Sequence, residues 1–311
     1  MNHFYHKMIQ DNWVEIFKYI DDGQSYKTIL ETNHLFYQLM IVHYPSKKSS
    51  LCNPLTTLLK MFPNENWHWG HLSMNKKITF DYILKHDYPW DWQYVSRNPN
   101  VTMEMVKQHD KPWDYDQMSL NPNLTVEMLK TKYGFRKDRI MRNPNIPLDY
   151  LLDKPIDYQS LSRNSNLSFD YVLKHLNENW DWPELSEHPN VTFDHILQYP
   201  YLPWRSSFVS TNQNVTMDIV KANPTYPWHY TMMSYNPNLT IAFIREHLTE
   251  TWLWHIISRN VAITLQMIDD NPDLPWEYKH ISYNNNLTLE YALKHIDKLC
   301  FGYLSACPFK K

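Results

Sequence analysis

The chain has 311 residues, of which 43% are hydrophobic and 15% aromatic, and its formal net charge is -3 with histidine neutral. With 4 glycines and 3 cysteines, it lacks the clustered glycines of a phosphate-binding loop and the cysteine framework of a disulfide-rich fold. The charge does not favour nucleic acid as a partner, and without an apolar run of about 18 residues or a signal peptide we expect no membrane span and a cytoplasmic location.

The first 48 residues precede the repeated part of the chain and form a separate segment. Their apolar spacing predicts three short helices, at residues 13–20, 25–32 and 34–44. The run Val14-Glu15-Ile16-Phe17-Lys18-Tyr19-Ile20 and the later Leu35-Phe36-Tyr37-Gln38-Leu39 resemble the F-box, although the Leu-Pro-x-Glu that opens that family is Met8-Ile9-Gln10-Asp11 here.

The F-box resemblance implies docking on a Skp-type adaptor and recruitment of a cullin-based ubiquitin ligase. The surface that the resemblance assigns to this contact consists of Met8, Ile9, Val14, Ile16, Phe17 and Ile20. The alternative is that these helices cap the first repeat or belong to an unrelated helical domain.

Residues 49–311 repeat a unit of about 24 residues. Each unit reads Ser-x-Asn-Pro-Asn-Φ-Thr-Φ-acid-Φ-Φ, then a variable stretch, then Pro-Trp-x-aromatic-x-x-Φ-Ser, where Φ is apolar. The units align on the serine, at Ser73, Ser96, Ser119, Ser162, Ser186, Ser210, Ser234, Ser258, Ser282 and Ser305, with Met141 in its place in one unit.

The residue choices within a unit predict two short helices. A threonine or serine begins the first helix, at Thr79, Thr102, Thr125, Ser168, Thr192, Thr216, Thr240, Thr264 and Thr288. An acid follows in the first turn of most units, and Pro-Trp ends the helix. In four units an aspartate is placed to cap the second helix, at Asp91, Asp114, Asp157 and Asp181. We expect the next asparagine to end that helix in a left-handed conformation.

The repeat predicts an all-α fold, an α-solenoid of about eleven helix pairs in which atypical end units cap the stack. The alternative is a leucine-rich-repeat-like β-solenoid, which residues 161–167 resemble. The strict phase of the Trp-x-Trp pairs places them in the core, and the repeated serine is expected to be a structural hydroxyl because no histidine or acid stands in fixed relation to it.

The array also resembles the Asn-Pro-Asn/Pro-Trp repeat proteins that giant DNA viruses encode in large numbers. That likeness covers residues 53–305 and rests on triplets such as Asn98-Pro99-Asn100 and Asn236-Pro237-Asn238. It implies a viral protein that acts in the host cytoplasm, and it extends to the F-box theme, which recurs in viral repeat proteins.

Residues 125–162 depart from the repeat. Tryptophan is missing there, and Arg136, Lys137 and Arg139 accompany Gly134 in place of Pro-Trp. The segment is either a bend in the superhelix or a specialised binding segment with a basic patch.

Nothing in the sequence predicts a catalytic site, a cofactor or a metal. His68 and His71 share a helical face, but no acid or cysteine completes a metal-ligand set. We therefore expect a non-enzymatic protein that binds a protein partner on a face of the solenoid. The alternative is a structural or scaffold protein, such as a virion component, with a plain N-terminal cap.

Overall fold

A computed structural model describes residues 53–131, 134–153 and 155–310 of the chain. It contains 22 helices in these ranges, in eleven pairs that we call units one to eleven. The first helices of the units are α1 (Pro54–Met61), α3 (Phe80–Lys85), α5 (Met103–Gln108), α7 (Val126–Leu129), α9 (Leu148–Leu152), α11 (Phe169–Lys174), α13 (Phe193–Gln198), α15 (Met217–Ala222), α17 (Ile241–Glu246), α19 (Leu265–Asp270) and α21 (Leu289–Lys294). The second helices are α2 (Trp69–Met74), α4 (Trp92–Val95), α6 (Tyr115–Met118), α8 (Lys137–Arg142), α10 (Tyr158–Leu161), α12 (Trp182–Glu187), α14 (Ser206–Val209), α16 (Tyr230–Met233), α18 (Trp254–Ile257), α20 (Tyr278–Ile281) and α22 (Phe301–Leu304).

The predicted all-α repeat fold is confirmed. The leucine-rich-repeat-like alternative is wrong for the part of the chain that the structure describes, where no strand occurs. Residues 161–167 instead form the end of α10 and the turn after it.

The first helices begin at the predicted caps. The Thr79 hydroxyl accepts a hydrogen bond from the backbone N–H of Tyr82 at 3.2 Å, and Thr102 makes the same bond at 3.3 Å to Met105. The same bond is made by Thr125, Ser168, Thr192, Thr216, Thr240, Thr264 and Thr288. These caps satisfy amide groups that a helix of six residues would otherwise leave open.

The tryptophans end the first helices and enter the core, as predicted. The Trp90 indole N–H donates to the carbonyl of His86 at 2.9 Å, just past the end of α3. The Trp276 indole does the same to the carbonyl of Asn271 at 2.7 Å. In eight of the eleven described units an indole N–H thus binds a carbonyl at the end of the first helix while its ring packs against the core.

Three of the four predicted aspartate caps on the second helices are confirmed, at Asp91, Asp114 and Asp157. The prediction for Asp181 is wrong. Pro183 removes one of the N–H groups that a capping side chain could reach. The Asp181 carboxylate instead accepts from the Arg163 guanidinium at 3.3 Å.

The prediction of a left-handed asparagine after the second helix is also wrong. Asn75, for example, has φ -72° and ψ 129°, and among the described non-glycine residues only Phe309 has a positive φ. The extended backbone turns the asparagine side chain inward, toward the preceding unit. Asn98, which is fully buried, donates through Nδ2 to the carbonyls of Ser73 at 2.8 Å and Ile78 at 3.1 Å.

The repeated serine makes a second bond between neighbouring units. The Ser73 hydroxyl accepts from the backbone N–H of Asp91 at 2.9 Å, and Ser96 accepts from Asp114 at 2.9 Å. Met141 cannot make this bond, but its carbonyl still accepts from the Asn164 side chain at 2.8 Å. The asparagine bond therefore continues through the one unit that lacks the serine.

The array closes on itself. Ser305 of unit eleven accepts from the backbone N–H of His68 of unit one at 2.9 Å, and Asn75 of unit one donates to the Ser305 carbonyl at 2.9 Å. The same two bonds join most neighbouring units; Met141 lacks the serine bond, and His188 and Cys307 replace the asparagine at two other junctions. Phe301 completes the contact, with its ring centroid 5.4 Å from that of Phe62 and 5.1 Å from that of Trp67.

The prediction that the atypical end units cap an open stack is therefore corrected: each end unit covers the other, and the described units form a closed ring. We call the contact between units eleven and one the seam.

The closest contacts between helices join successive second helices, such as α2 with α4 and α8 with α10. Since elements on the inner circumference of a ring lie closest together, the second helices line its inner side and the first helices its outer side.

The seam should be as stable as an internal junction. We expect Ser305→Ala to lower the free energy of unfolding by about 1–3 kcal/mol, because it leaves the His68 N–H without its acceptor. Urea unfolding followed by circular dichroism would measure this. Ser96→Ala is the matched control, since Ser96 makes the same two hydrogen bonds as Ser305. An unaltered stability of Ser305→Ala beside a destabilised Ser96→Ala would contradict the closed ring.

One unit replaces the buried asparagine by His188. Its Nδ1 lies 3.1 Å from the backbone N of Asn190, which can only donate, so Nδ1 must accept. Its Nε2 lies 2.9 Å from the Asn164 carbonyl and must therefore carry the proton. Burial lowers the pKa of His188, against a raising contribution from the Asn164 carbonyl. The neutral Nε2–H tautomer thus donates to the preceding unit and accepts from the residue two positions on, as an asparagine at this position does.

This arrangement predicts a pH dependence. Because the folded pKa lies below the unfolded value of 6.5, the neutral form favours folding, and this stability is present above pH 6.5 and is lost as pH falls toward the folded pKa. We expect His188→Asn to remove this part of the acid sensitivity. Unfolding midpoints at pH 7.5 and 5.5 for both proteins would test it, and an equal loss in the two would contradict it.

Candidate functional site

The side chains that follow the repeated serine are smallest at the seam. The residue after the repeated serine lies on the second helix's exposed side, and its identity changes from unit to unit. In order round the ring it is Met74, Arg97, Leu120, Arg142, Arg163, Glu187, Thr211, Tyr235, Arg259, Tyr283 and Ala306. Ala306, in unit eleven, is the smallest of these. The second helices on the two sides of the seam also contain the glycines Gly70 and Gly302.

A surface cavity of about 440 Å³ lies at this point. Its walls come from four consecutive units, ten, eleven, one and two, and the described residues that line it include no carboxylate. The lining includes His71, Lys76, Pro99, Asn285, Ala306 and Pro308. A cavity of this size falls in the range that small-molecule ligands occupy. We call it the seam cavity.

Beside the seam cavity, four rings form what we call the aromatic track: His71, Tyr283, Tyr303 and His280. The ring centroids of His71 and Tyr283 are 6.4 Å apart, across unit eleven. Those of Tyr283 and Tyr303 are 4.7 Å apart with planes 31° from parallel, and those of His280 and Tyr303 are 5.3 Å apart. All four side chains are partly exposed.

Two cations lie over the track. The Arg259 guanidinium is 5.9 Å from the centroid of Tyr283, and the Lys279 ammonium is 5.3 Å from that of Tyr303. Several other guanidinium groups of the described chain pair with acids, as Arg163 does with Glu184 at 2.7 Å and Arg245 with Asp273 at 2.8 Å. At the track the contacts of both cations are with aromatic rings, and Glu277 is the carboxylate found nearby, 3.0 Å from His280 Nδ1.

The two histidines of the track are held in the neutral form. Burial lowers the pKa of His71, and the neighbouring His68 lowers it further. Burial also lowers the pKa of His280, outweighing the opposing effect of Glu277. At neutral pH both imidazoles therefore provide aromatic surface and hydrogen-bonding groups rather than charge.

The sequence-predicted basic patch is brought together, but acids neutralise much of it. Arg136 lies 3.0 Å from Asp138 and 3.6 Å from Asp116, and Arg139 lies 3.4 Å from Asp116. Lys137 is exposed at the start of α8. The three residues thus form a mixed-charge surface on one unit, and their role in binding remains a prediction.

The N-terminal candidates Met8, Ile9, Val14, Ile16, Phe17 and Ile20 lie outside the described residues. The predicted pair His68 and His71 is stacked, with ring centroids 3.9 Å apart, and His68 Nδ1 accepts from the His71 N–H. Within the described ranges no cluster of three potential metal ligands occurs. No helix there is long and apolar enough to cross a membrane.

Sequence reasoning missed the seam cavity because it treated the two ends of the array as far apart. The signal was present in Ala306, which stands where the other units carry larger side chains. Only the closure of the ring places this position beside His71 and Lys76 of unit one.

Comparison of the chain with protein-family models, with curated proteins and with solved structures found no match. Its function is therefore inferred from its residues and their geometry.

The two seam glycines should respond differently to alanine. A Cβ on Gly70 would lie 3.0 Å from Tyr94 Cε2, whereas the nearest atom to a Cβ on Gly302 is 3.6 Å away. We expect Gly302→Ala to raise the free energy of unfolding by about 0.5–1 kcal/mol through helix propensity. Gly70→Ala should show no such gain, because the Tyr94 ring must move. Urea midpoints of both variants would decide this, and a strongly destabilised Gly302→Ala would contradict the seam geometry.

Proposed function

We propose that this protein is a non-enzymatic adaptor. Residues 1–48 dock on a Skp-type adaptor through Met8, Ile9, Val14, Ile16, Phe17 and Ile20, and the helical ring binds a target protein. The second candidate is a structural scaffold, which the dense bonding between units favours because it makes the ring a rigid body.

The observation that supports the adaptor is the closure of the ring within residues 53–310. In an open solenoid, a helical segment before the first unit would be needed to cover its apolar end. Here unit eleven occupies that place, with Phe301 against Phe62 and Trp67. The first 48 residues are therefore not required as a cap, and a separate docking role accounts for them better.

The outer side of the ring supports a protein partner. Leu197 on α13, Tyr201 just after it and Leu248 after α17 are 54%, 71% and 53% exposed. Exposed tyrosine and leucine side chains on a rigid surface suit contact with another protein.

The non-enzymatic part of the proposal is supported by how the repeated polar groups are used. The buried serine hydroxyls and asparagine amides, such as Ser96 and Asn98, are engaged in the hydrogen bonds that join units. A side chain held in this way is a structural donor or acceptor rather than a nucleophile or a general base.

The test is affinity purification of the tagged full-length protein and of residues 49–311 from the cells in which the protein functions. We expect a Skp-type adaptor and a cullin with the full-length protein only. Circular dichroism should show the shortened protein folded, since the ring does not need the first 48 residues.

A point variant separates docking from folding. Phe17→Asp in the full-length protein should lose the adaptor, whereas Arg136→Asp, a charge change on the ring, should retain it. If the adaptor is absent from the full-length sample, or equally present with residues 49–311, the adaptor proposal fails and the scaffold becomes the better account.

A further inference from the structure

We propose that the seam of the ring binds a nucleotide, either free or as one residue of a single strand. The base stacks on the aromatic track, and the phosphate is held by the cations around it. The inference rests on the seam cavity, the track and the local charge, and is independent of the adaptor function.

The first element is a space that the fold leaves open. Ala306 stands where the preceding unit has Tyr283 and the unit before that has Arg259. Either of these side chains at position 306 would occupy the seam cavity. At about 440 Å³ the cavity is large enough for a nucleotide.

The second element is a set of aromatic rings on which a planar base can stack. The planes of Tyr283 and Tyr303 are tilted by 31° to each other rather than parallel, and His71 joins the track to the cavity because it belongs to both. A planar base can stack on such rings regardless of its identity, and each stacked base contributes about 1–3 kcal/mol. The neutral state of the histidines preserves this surface at physiological pH.

The third element is an excess of positive charge among the described residues. Lys76 is exposed at the cavity, while Arg259 and Lys279 lie over Tyr283 and Tyr303. Against these three cations stands Glu277, which faces His280. The surplus is positive although the whole chain has a net charge of -3. An anion is favoured here, and phosphate is a strong acceptor for these groups.

A flat aromatic group and an anion together describe a nucleotide. An acidic peptide would satisfy the cations but would leave the four rings without a partner, so the nucleotide is the better fit. Lys107, in the last turn of α5, is an exposed lysine on a first helix and does not border the seam cavity.

The test is binding of the full-length protein to two probes, adenosine monophosphate and a fluorescein-labelled eight-nucleotide RNA, by calorimetry and fluorescence anisotropy. We expect saturable binding of at least one. Comparable affinity for both indicates a free nucleotide as the ligand, and binding of the RNA alone indicates a single strand. An octaglutamate peptide that binds as tightly as either probe would overturn the proposal in favour of an acidic protein.

Two variants with matched controls locate the site. Ala306→Tyr fills the cavity with a side chain that neighbouring units carry, and should weaken binding at least about tenfold. Leu120→Tyr makes the same substitution at the equivalent position three units further round, and should not. Lys76→Glu should also weaken binding, whereas Lys107→Glu, with the same charge change on the outer side, should not.

Circular dichroism of each variant would confirm that it is folded. No binding of either probe by the folded full-length protein, or equal binding by Ala306→Tyr, would overturn the proposal.

Discussion

The rest of the structure depends on the hydrogen bonds from a buried asparagine side chain to the backbone of the preceding unit. Helices of four and six residues are too short to be stable alone. The amide of Asn98 supplies donors to carbonyls at the end of the preceding unit and accepts from the N–H of Asn100 at 2.8 Å. Since these groups are removed from water, leaving one unpaired is costly. His188 is tolerated in this place because its neutral ring both donates and accepts.

A bond that repeats with nearly constant geometry turns each unit by a similar angle, and eleven such turns bring the last unit against the first. The junction then needs no special chemistry, because Ser305 and Asn75 make the same bonds as their internal counterparts. Closure also covers the apolar ends that an open array must cap. This explains why the end units have drifted from the repeat in sequence and yet remain buried at Phe309 and Leu55.

At the seam the end units depart from the repeat in sequence, and the surface there combines a cavity with aromatic rings and cations. Small residues open the inner wall at Ala306, and rings and cations surround the opening. An internal junction has to satisfy both the repeat and its neighbours, so it has less freedom to acquire such a site. If residues 1–48 recruit an adaptor, the ring would present its outer side to a protein and its seam to a nucleotide, which are separate surfaces of one rigid body.

The sequence by itself determined the repeat, the two helices of each unit, the threonine caps and the core position of the tryptophans, because these follow from local hydrogen bonding and apolar periodicity. It did not determine the conformation of the asparagine, since the bonds that hold it extended come from another unit. It wrongly predicted an array with two capped ends, because closure depends on a small rotation per unit that accumulates over the whole ring and that no local pattern records. The seam cavity follows from that closure, so only the tertiary structure brings Ala306 beside His71 and Lys76.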